Sequence, residues 1–164
     1  MLIYFFFEIL KQIRDLYLDF NRLERIPEAA LAGTDATRLY LSSNALKTID
    51  DRAFHSLSTS LILLDLDRNH LGRYPPALNH LKRLRFLYLA NNDVATLADS
   101  DLASFGAHLE ALSLAGNHFH QFPNAALVNC PKLAHLNMAY NTIENITADM
   151  FHVNPKKLFQ FKLK

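Results

Sequence analysis

One short pattern of apolar residues followed by an asparagine recurs six times along the chain. It has the form Leu-x-x-Leu-x-Leu-x-x-Asn, with isoleucine, alanine or methionine in place of leucine at some positions. The asparagines of the six instances are Asn21, Asn44, Asn69, Asn92, Asn117 and Asn141, and successive ones are 23, 25, 23, 25 and 24 residues apart. A regular period of this length indicates one structural unit per repeat, and it predicts that the units stack into a solenoid.

The geometry of a strand explains which positions of the pattern are apolar. The two leucines of Leu-x-Leu, such as Leu39 and Leu41, are two residues apart, and alternate side chains of a strand point to the same face. We therefore expect these leucines to line the interior, where neighbouring coils bury them. Each asparagine follows the strand, where its amide can donate hydrogen bonds to the turn backbone and accept them from it. We interpret the six asparagines as a structural ladder and not as a binding site.

The residues that follow the asparagine complete a consensus. In the first repeat they read Asn21-Arg-Leu-Glu-Arg-Ile26-Pro27, which resembles the typical, mostly extracellular class of leucine-rich repeats. Proline-bearing and acidic turns alternate, and the segments 53–57 (Ala-Phe-His-Ser-Leu) and 60–66 (Ser-Leu-Ile-Leu-Leu-Asp-Leu) are most similar to chaoptin-type insect adhesion proteins. The resemblance implies an α/β fold, a curved horseshoe with a parallel sheet on its concave face. It also implies short helical or irregular turns on the convex face, and six full repeats with partial repeats at both ends.

The register of the repeats organises residues 1–164 into one domain. Residues 1–12 match the trailing half of a preceding repeat and residues 158–164 match the start of a seventh, so we expect a fragment of a longer array. No run of 18 apolar residues occurs, which predicts no membrane-spanning segment in this chain, although a parent protein with a membrane anchor stays open. The net charge of +1, without a basic run, argues against nucleic acid as a partner.

The sequence lacks the residue arrangements that are typical of catalysis or metal binding. His118 and His120 are close in sequence, but no third ligand follows at a suitable spacing. Asp65 and Asp67 lie two apart, and we expect them on an open, wet surface without the burial that tunes general acids. We therefore expect a non-catalytic protein without a metal ion or a cofactor.

The outward residues of the predicted strands form the candidate binding surface. Tyrosines and aspartates concentrate in the first four coils, whereas the fifth and sixth coils carry almost only small residues. The candidate partner-binding residues are Asp15, Tyr17, Asp19, Tyr40, Asp65, Asp67, Phe86 and Tyr88. Exposed tyrosines among charges are typical of interface hot spots, although tyrosine is also a favourable strand residue in general. The small residues either admit the close approach of another coil array or serve no function.

We expect a protein-interaction module of an extracellular or cell-surface protein, and the resemblance to chaoptin-type proteins favours cell adhesion. The partner is a protein, and binding to a second copy of the chain stays open. The alternatives are a receptor ectodomain or secreted immune-recognition protein, and an intracellular scaffold. The sequon Asn145-Ile-Thr147 predicts a glycan on Asn145, although sequons also arise by chance. The lone Cys130 is interpreted as a buried thiol, with an intermolecular disulfide as the alternative.

Overall fold

A parallel sheet runs through the whole of the described structure. The computed structural model describes residues 12–145, 147–148 and 160–162. Seven strands form this large sheet and follow one another in the order of the chain, while two further strands form a second sheet. The strands of the large sheet are β1 (Asp15–Tyr17), β3 (Arg38–Tyr40), β5 (Leu63–Asp65), β6 (Phe86–Tyr88), β7 (Ala111–Ser113), β8 (His135–Asn137) and β9 (Gln160–Lys162). The second sheet pairs β2 (Arg25–Ile26) with β4 (Thr48–Ile49), also in parallel.

Short helical turns return the chain from one strand to the next. Within the described residues they are three 3-10 helices, His55–Leu57, Pro76–His80 and Gly106–His108, and one α-helix, α1 (Asn124–Leu127). Consecutive strands of one parallel sheet need such crossover connections, because a tight hairpin can join only antiparallel strands. The predicted α/β solenoid with a parallel sheet and short helical turns is thus confirmed. The partial repeats expected at 1–12 and 158–164 lie outside the described residues, apart from residue 12 and the backbone of β9.

The leucines of the repeat form the core. Leu39, Leu41, Leu64 and Leu66 have no exposed surface, and the corresponding residues of later coils are equally buried. The strand leucines stack in register, with Leu39 opposite Leu64 and Leu64 opposite Leu87. Each fully buried aliphatic side chain contributes roughly 1.5–3 kcal/mol, so these columns are the main source of stability.

The asparagines bond each coil to the one before it. In Asn69, Nδ2 donates to the carbonyls of Leu41 at 3.0 Å, Leu66 at 3.0 Å and Asp67 at 3.2 Å, while Oδ1 accepts from the N–H of Leu46 at 3.0 Å. Asn44, Asn92, Asn117 and Asn141 make the equivalent four bonds. Asn21 is exposed, and its Nδ2 donates to Leu18 and Asp19.

The turn that carries each asparagine requires a left-handed residue. The residue before the asparagine has a positive φ between 54° and 62° in all six coils: Phe20, Ser43, Arg68, Asn91, Gly116 and Tyr140. Glycine adopts this conformation without strain, but a side chain makes it unfavourable. The turn geometry is therefore maintained by the bonds of the asparagine even where the local residue is as bulky as Phe20 or Tyr140.

Two further findings concern the single cysteine and the possibility of a membrane-spanning helix. Cys130 is buried and is not in a disulfide. None of the helices within the described residues is long and apolar enough to cross a membrane.

Candidate functional site

The outward side chains of the large sheet and of the residues just after its strands form one surface, here called the sheet face. The pairing register places them in rows across the strands. The first row is Asp15, Arg38, Leu63, Phe86, Ala111 and His135, and the second is Tyr17, Tyr40, Asp65, Tyr88, Ser113 and Asn137. After the strands follow Asp19, Ser42, Asp67, Ala90, Ala115 and Ala139. Neighbouring strands lie about 4.8 Å apart, so the side chains of one row stand side by side.

An aromatic pair and an ion pair occupy the first two strands of the sheet face. The rings of Tyr17 and Tyr40 stack with their centroids 4.6 Å apart and their planes at 5°. Beside them Arg38 Nε donates to Asp15 Oδ1 at 2.7 Å. This bond raises the pKa of the Arg38 guanidinium, which stays charged. Tyr17 keeps 65% of its surface exposed, so the paired rings present an ordered aromatic surface to solvent.

Three aspartates accept hydrogen bonds from neutral groups of the sheet face. Asp19 Oδ1 accepts from the N–H and the hydroxyl of Ser42, each at 2.8 Å. Asp67 Oδ1 accepts from the N–H of Ala90 at 2.6 Å, and Asp65 Oδ1 accepts from the N–H of Asp67 at 3.0 Å. Across the described part of the chain, no basic group lies within 4.0 Å of these three carboxylates. The negative charge of this part of the sheet face is therefore not neutralised by an ion pair.

Burial changes the acidity of Asp65 and Asp67. The pKa of the Asp67 carboxyl is raised to about 6, chiefly by loss of solvent and to a smaller extent by the charge of Asp65, while the bond from Ala90 and the charge of Arg68 act in the opposite sense. Burial also raises the pKa of Asp65. The expectation that both carboxylates lie on an open, wet surface is wrong, because both are partly buried and lose solvent. The pair is half-buried and acidic at neutral pH.

The aromatic residues of the fourth coil border a depression in the sheet. A cavity of about 330 Å³ lies between β6 and β8, here called the sheet-face cavity. Its lining consists of Phe86, Tyr88, Ala111, Leu112, Ser113, His135, Leu136 and Asn137. It exists because the small Ala111 and Ser113 stand between the larger side chains of the neighbouring strands.

The Phe86 ring, which forms one wall of the sheet-face cavity, makes a cation–π contact with Arg85. The guanidinium carbon of Arg85 lies 5.4 Å from the centre of the Phe86 ring. Arg85 is itself held by two hydrogen bonds to Glu110, at 2.8 and 2.9 Å.

The structure brings all eight candidate residues onto one surface, with Asp15 in an ion pair and the tyrosines partly exposed. Sequence reasoning missed His135 and Asn137 as lining residues of a cavity. The available signal was the juxtaposition of small side chains with Phe86 and Tyr88 one repeat earlier.

Asn145 lies on a different part of the surface. Both Asn145 and Thr147 are exposed, and they line a separate cavity of about 340 Å³ with residues that include His120 and Glu144. Ile146, the middle residue of the sequon, lies outside the described residues.

Within the described segments, no group of three or more histidine, cysteine, aspartate or glutamate side chains could hold a metal ion.

Comparisons with known proteins agree with this architecture. The sequence matches the profile described as leucine rich repeat over residues 11–71, 34–94 and 107–163. No curated protein matches it. Among solved structures it is similar to a chain of the octameric complex of Latrophilin 3, Unc5D and FLRT2, in which FLRT2 contributes the leucine-rich repeats. There the TM-score is 0.71 and the identity 28%, over 87% of this chain and 42% of the other.

Two further structures are similar over most of the chain. The leucine-rich repeat domain of APL1 gives a TM-score of 0.74 at 25% identity, over 83% of this chain and 35% of that domain. A complex of TLR13 with the RNA ssRNA13 gives 0.68 at 23% identity, over 96% of this chain and 26% of the other, which shows the fold alone. The chain thus spans less than half the length of each of these relatives.

Proposed function

Because the chain belongs to the leucine-rich repeat family, whose domains mediate protein–protein interaction, we propose that its sheet face binds a protein partner without catalysing a reaction. The observation that carries the proposal is the stacked pair of Tyr17 and Tyr40, which stays open to solvent next to carboxylates that lack ion pairs. Ordered tyrosines bury a large area at a small entropic cost, and aromatic residues dominate interface hot spots.

The partner is a protein and not a nucleic acid. The phosphates of a nucleic acid bind through lysine and arginine, whereas the sheet face carries Asp19, Asp65 and Asp67 as charges without ion pairs. TLR13, one of the similar structures, is in complex with an RNA, but a likeness at 23% identity carries over the fold only. A labelled single-stranded oligonucleotide therefore serves as the negative probe in binding measurements.

The parent protein is extracellular or attached to the cell surface, and it acts in adhesion. The FLRT2 assembly, which joins leucine-rich repeats to two other proteins, supports this reading by analogy. The sequon supports it independently, because Asn145 and Thr147 are both exposed and are not part of the sheet face. A glycan on Asn145 leaves the sheet face free. The mass of protein secreted by eukaryotic cells, measured with and without a glycosidase, tests this, and Asn145→Gln is the control.

Adhesion is tested with beads coated with the purified chain. Beads that aggregate with each other show binding between copies of the chain, and a display screen of cell-surface proteins covers other partners. Tyr40→Ala and Tyr88→Ala should weaken the binding found, without unfolding the protein. Tyr140→Ala removes an exposed tyrosine that lies outside the sheet face, and it should have no effect. Binding that survives both sheet-face substitutions rules out the proposed surface.

A further inference from the structure

The sheet-face cavity and Asp65 lie along one row of the sheet. Asp65 pairs with Tyr88, Tyr88 with Ser113, and Ser113 with Asn137, each on the next strand. Because strands lie about 4.8 Å apart, the floor of the cavity at Ser113 lies about 10 Å from Asp65. Tyr88 separates the two places and forms one wall of the cavity.

The chemistry of the cavity suits an apolar side chain. Its lining is mainly apolar, with the rings of Phe86 and Tyr88 and the methyl group of Ala111, while the side chains of Leu112 and Leu136 below it are buried in the core. Its volume of about 330 Å³ is at the lower end of the range of ligand pockets, about 300–1,000 Å³. A single large side chain from a partner fits such a space and gains the free energy of burial.

The negative charge beside the cavity determines which charge a partner must carry. Asp65 and Asp67 are already half-buried, and covering them with a partner removes the rest of their solvent. A desolvated carboxylate without a counter-charge is strongly unfavourable, so a partner that covers them must supply a cation. Arg68 slightly lowers the pKa of both carboxyls, but it lies beyond ion-pair distance from them and does not neutralise them.

We infer that the sheet face binds an extended protein segment that carries a lysine or arginine and, two or four residues away, a large apolar side chain. The cation lies over Asp65 and Asp67, and the apolar side chain enters the sheet-face cavity. The spacing follows because side chains on one face of an extended chain are two or four residues apart, which is about 7 or 13 Å, and the flexible stem of a lysine or arginine covers the difference from about 10 Å. This inference rests on the proposed function and names the partner's chemistry.

The test uses a random library of linear peptides, displayed on phage and selected on the wild-type chain. Enriched peptides are synthesised, and their affinities for variants are measured by fluorescence anisotropy. Ser113→Tyr places a ring in the cavity. The same row of the sheet already carries Tyr17, Tyr40 and Tyr88, so we expect the fold to tolerate a further tyrosine there. Thr48→Tyr adds the same ring at an exposed position of β4 and is its control.

A second pair of variants tests the charge. Asp65→Asn together with Asp67→Asn removes both charges but keeps the oxygens that accept from the backbone. Asp51→Asn removes one charge at an exposed position away from the sheet face and is the control.

We expect enriched peptides to share the basic and apolar pair, and to lose about tenfold or more in affinity for Ser113→Tyr and for the double variant, as for hot-spot contacts. The controls should bind like the wild type. Peptides that lose affinity for Tyr40→Ala but bind Ser113→Tyr unchanged overturn this inference and leave the proposed function intact. A selection without enrichment also overturns this inference alone, whereas peptides that are indifferent to every sheet-face variant overturn both.

Discussion

The substitution Asn69→Ala isolates the contribution of one asparagine to the stacking of the coils. The side chain is 4% exposed and bonds the third coil to the second. Its removal leaves the N–H of Leu46 without an acceptor among the described residues, and Leu46 is fully buried. The carbonyls of Leu41 and Leu66 lose one donor each, but they keep the amides of Asn44 and Asn92.

These contacts determine how much stability the substitution removes. A buried N–H without a partner costs about 1–3 kcal/mol, and the lost bonds to carbonyls that retain another donor add about 1 kcal/mol. We therefore expect Asn69→Ala to lower the free energy of unfolding by about 2–4 kcal/mol. The assay is urea unfolding followed by circular dichroism. With a slope of about 2 kcal/mol per molar urea, the midpoint falls by about 1–2 M.

Asn21→Ala is the matched control, because it removes the same side chain from an exposed position. Asn21 bonds the carbonyls of Leu18 and Asp19, and both bonds are exposed. After the substitution these carbonyls can bond water instead. We expect its effect to be below about 1 kcal/mol. Equal effects of the two substitutions would refute the reasoning, since burial of the stranded N–H is the physical difference between them.

Two further predictions concern titratable groups. Because burial raises the pKa of Asp67 from its usual 3.8 to about 6, the carboxyl contributes stability that is complete below about pH 4 and is lost as the pH rises through 6. Asp67→Asn should therefore be more stable than the wild type at pH 7 and no more stable at pH 4. The expected difference at pH 7 is about 1–2 kcal/mol, less than the full pKa shift implies, because solvent screens part of the effect. A constant difference between the two pH values in urea unfolding contradicts this. Burial also raises the pKa of the Cys130 thiol to about 12, so a thiol reagent should label the native protein far more slowly than the protein in urea, and equal rates count against it.

Much of the fold follows from the sequence because its pattern repeats. Leu39 and Leu41 could be assigned to the interior from their spacing alone, and each further repeat supports the same register. The eight candidate residues could be placed on one face for the same reason. Their contacts within that face could not, because the stacking of Tyr17 on Tyr40 depends on rotamers across two coils.

The sequence by itself determined that the coils stack, which side chains face inward and which residues share each outward row. These properties depend on a period of two along the strand and of about two dozen along the chain, and both are visible in the order of the residues. Only the tertiary structure decided that Asp67 is half-buried and that Ala111 and Ser113 form the floor of a cavity. The burial of an outward side chain depends on the size of its neighbours on adjacent strands, and the sequence separates those neighbours by a whole repeat.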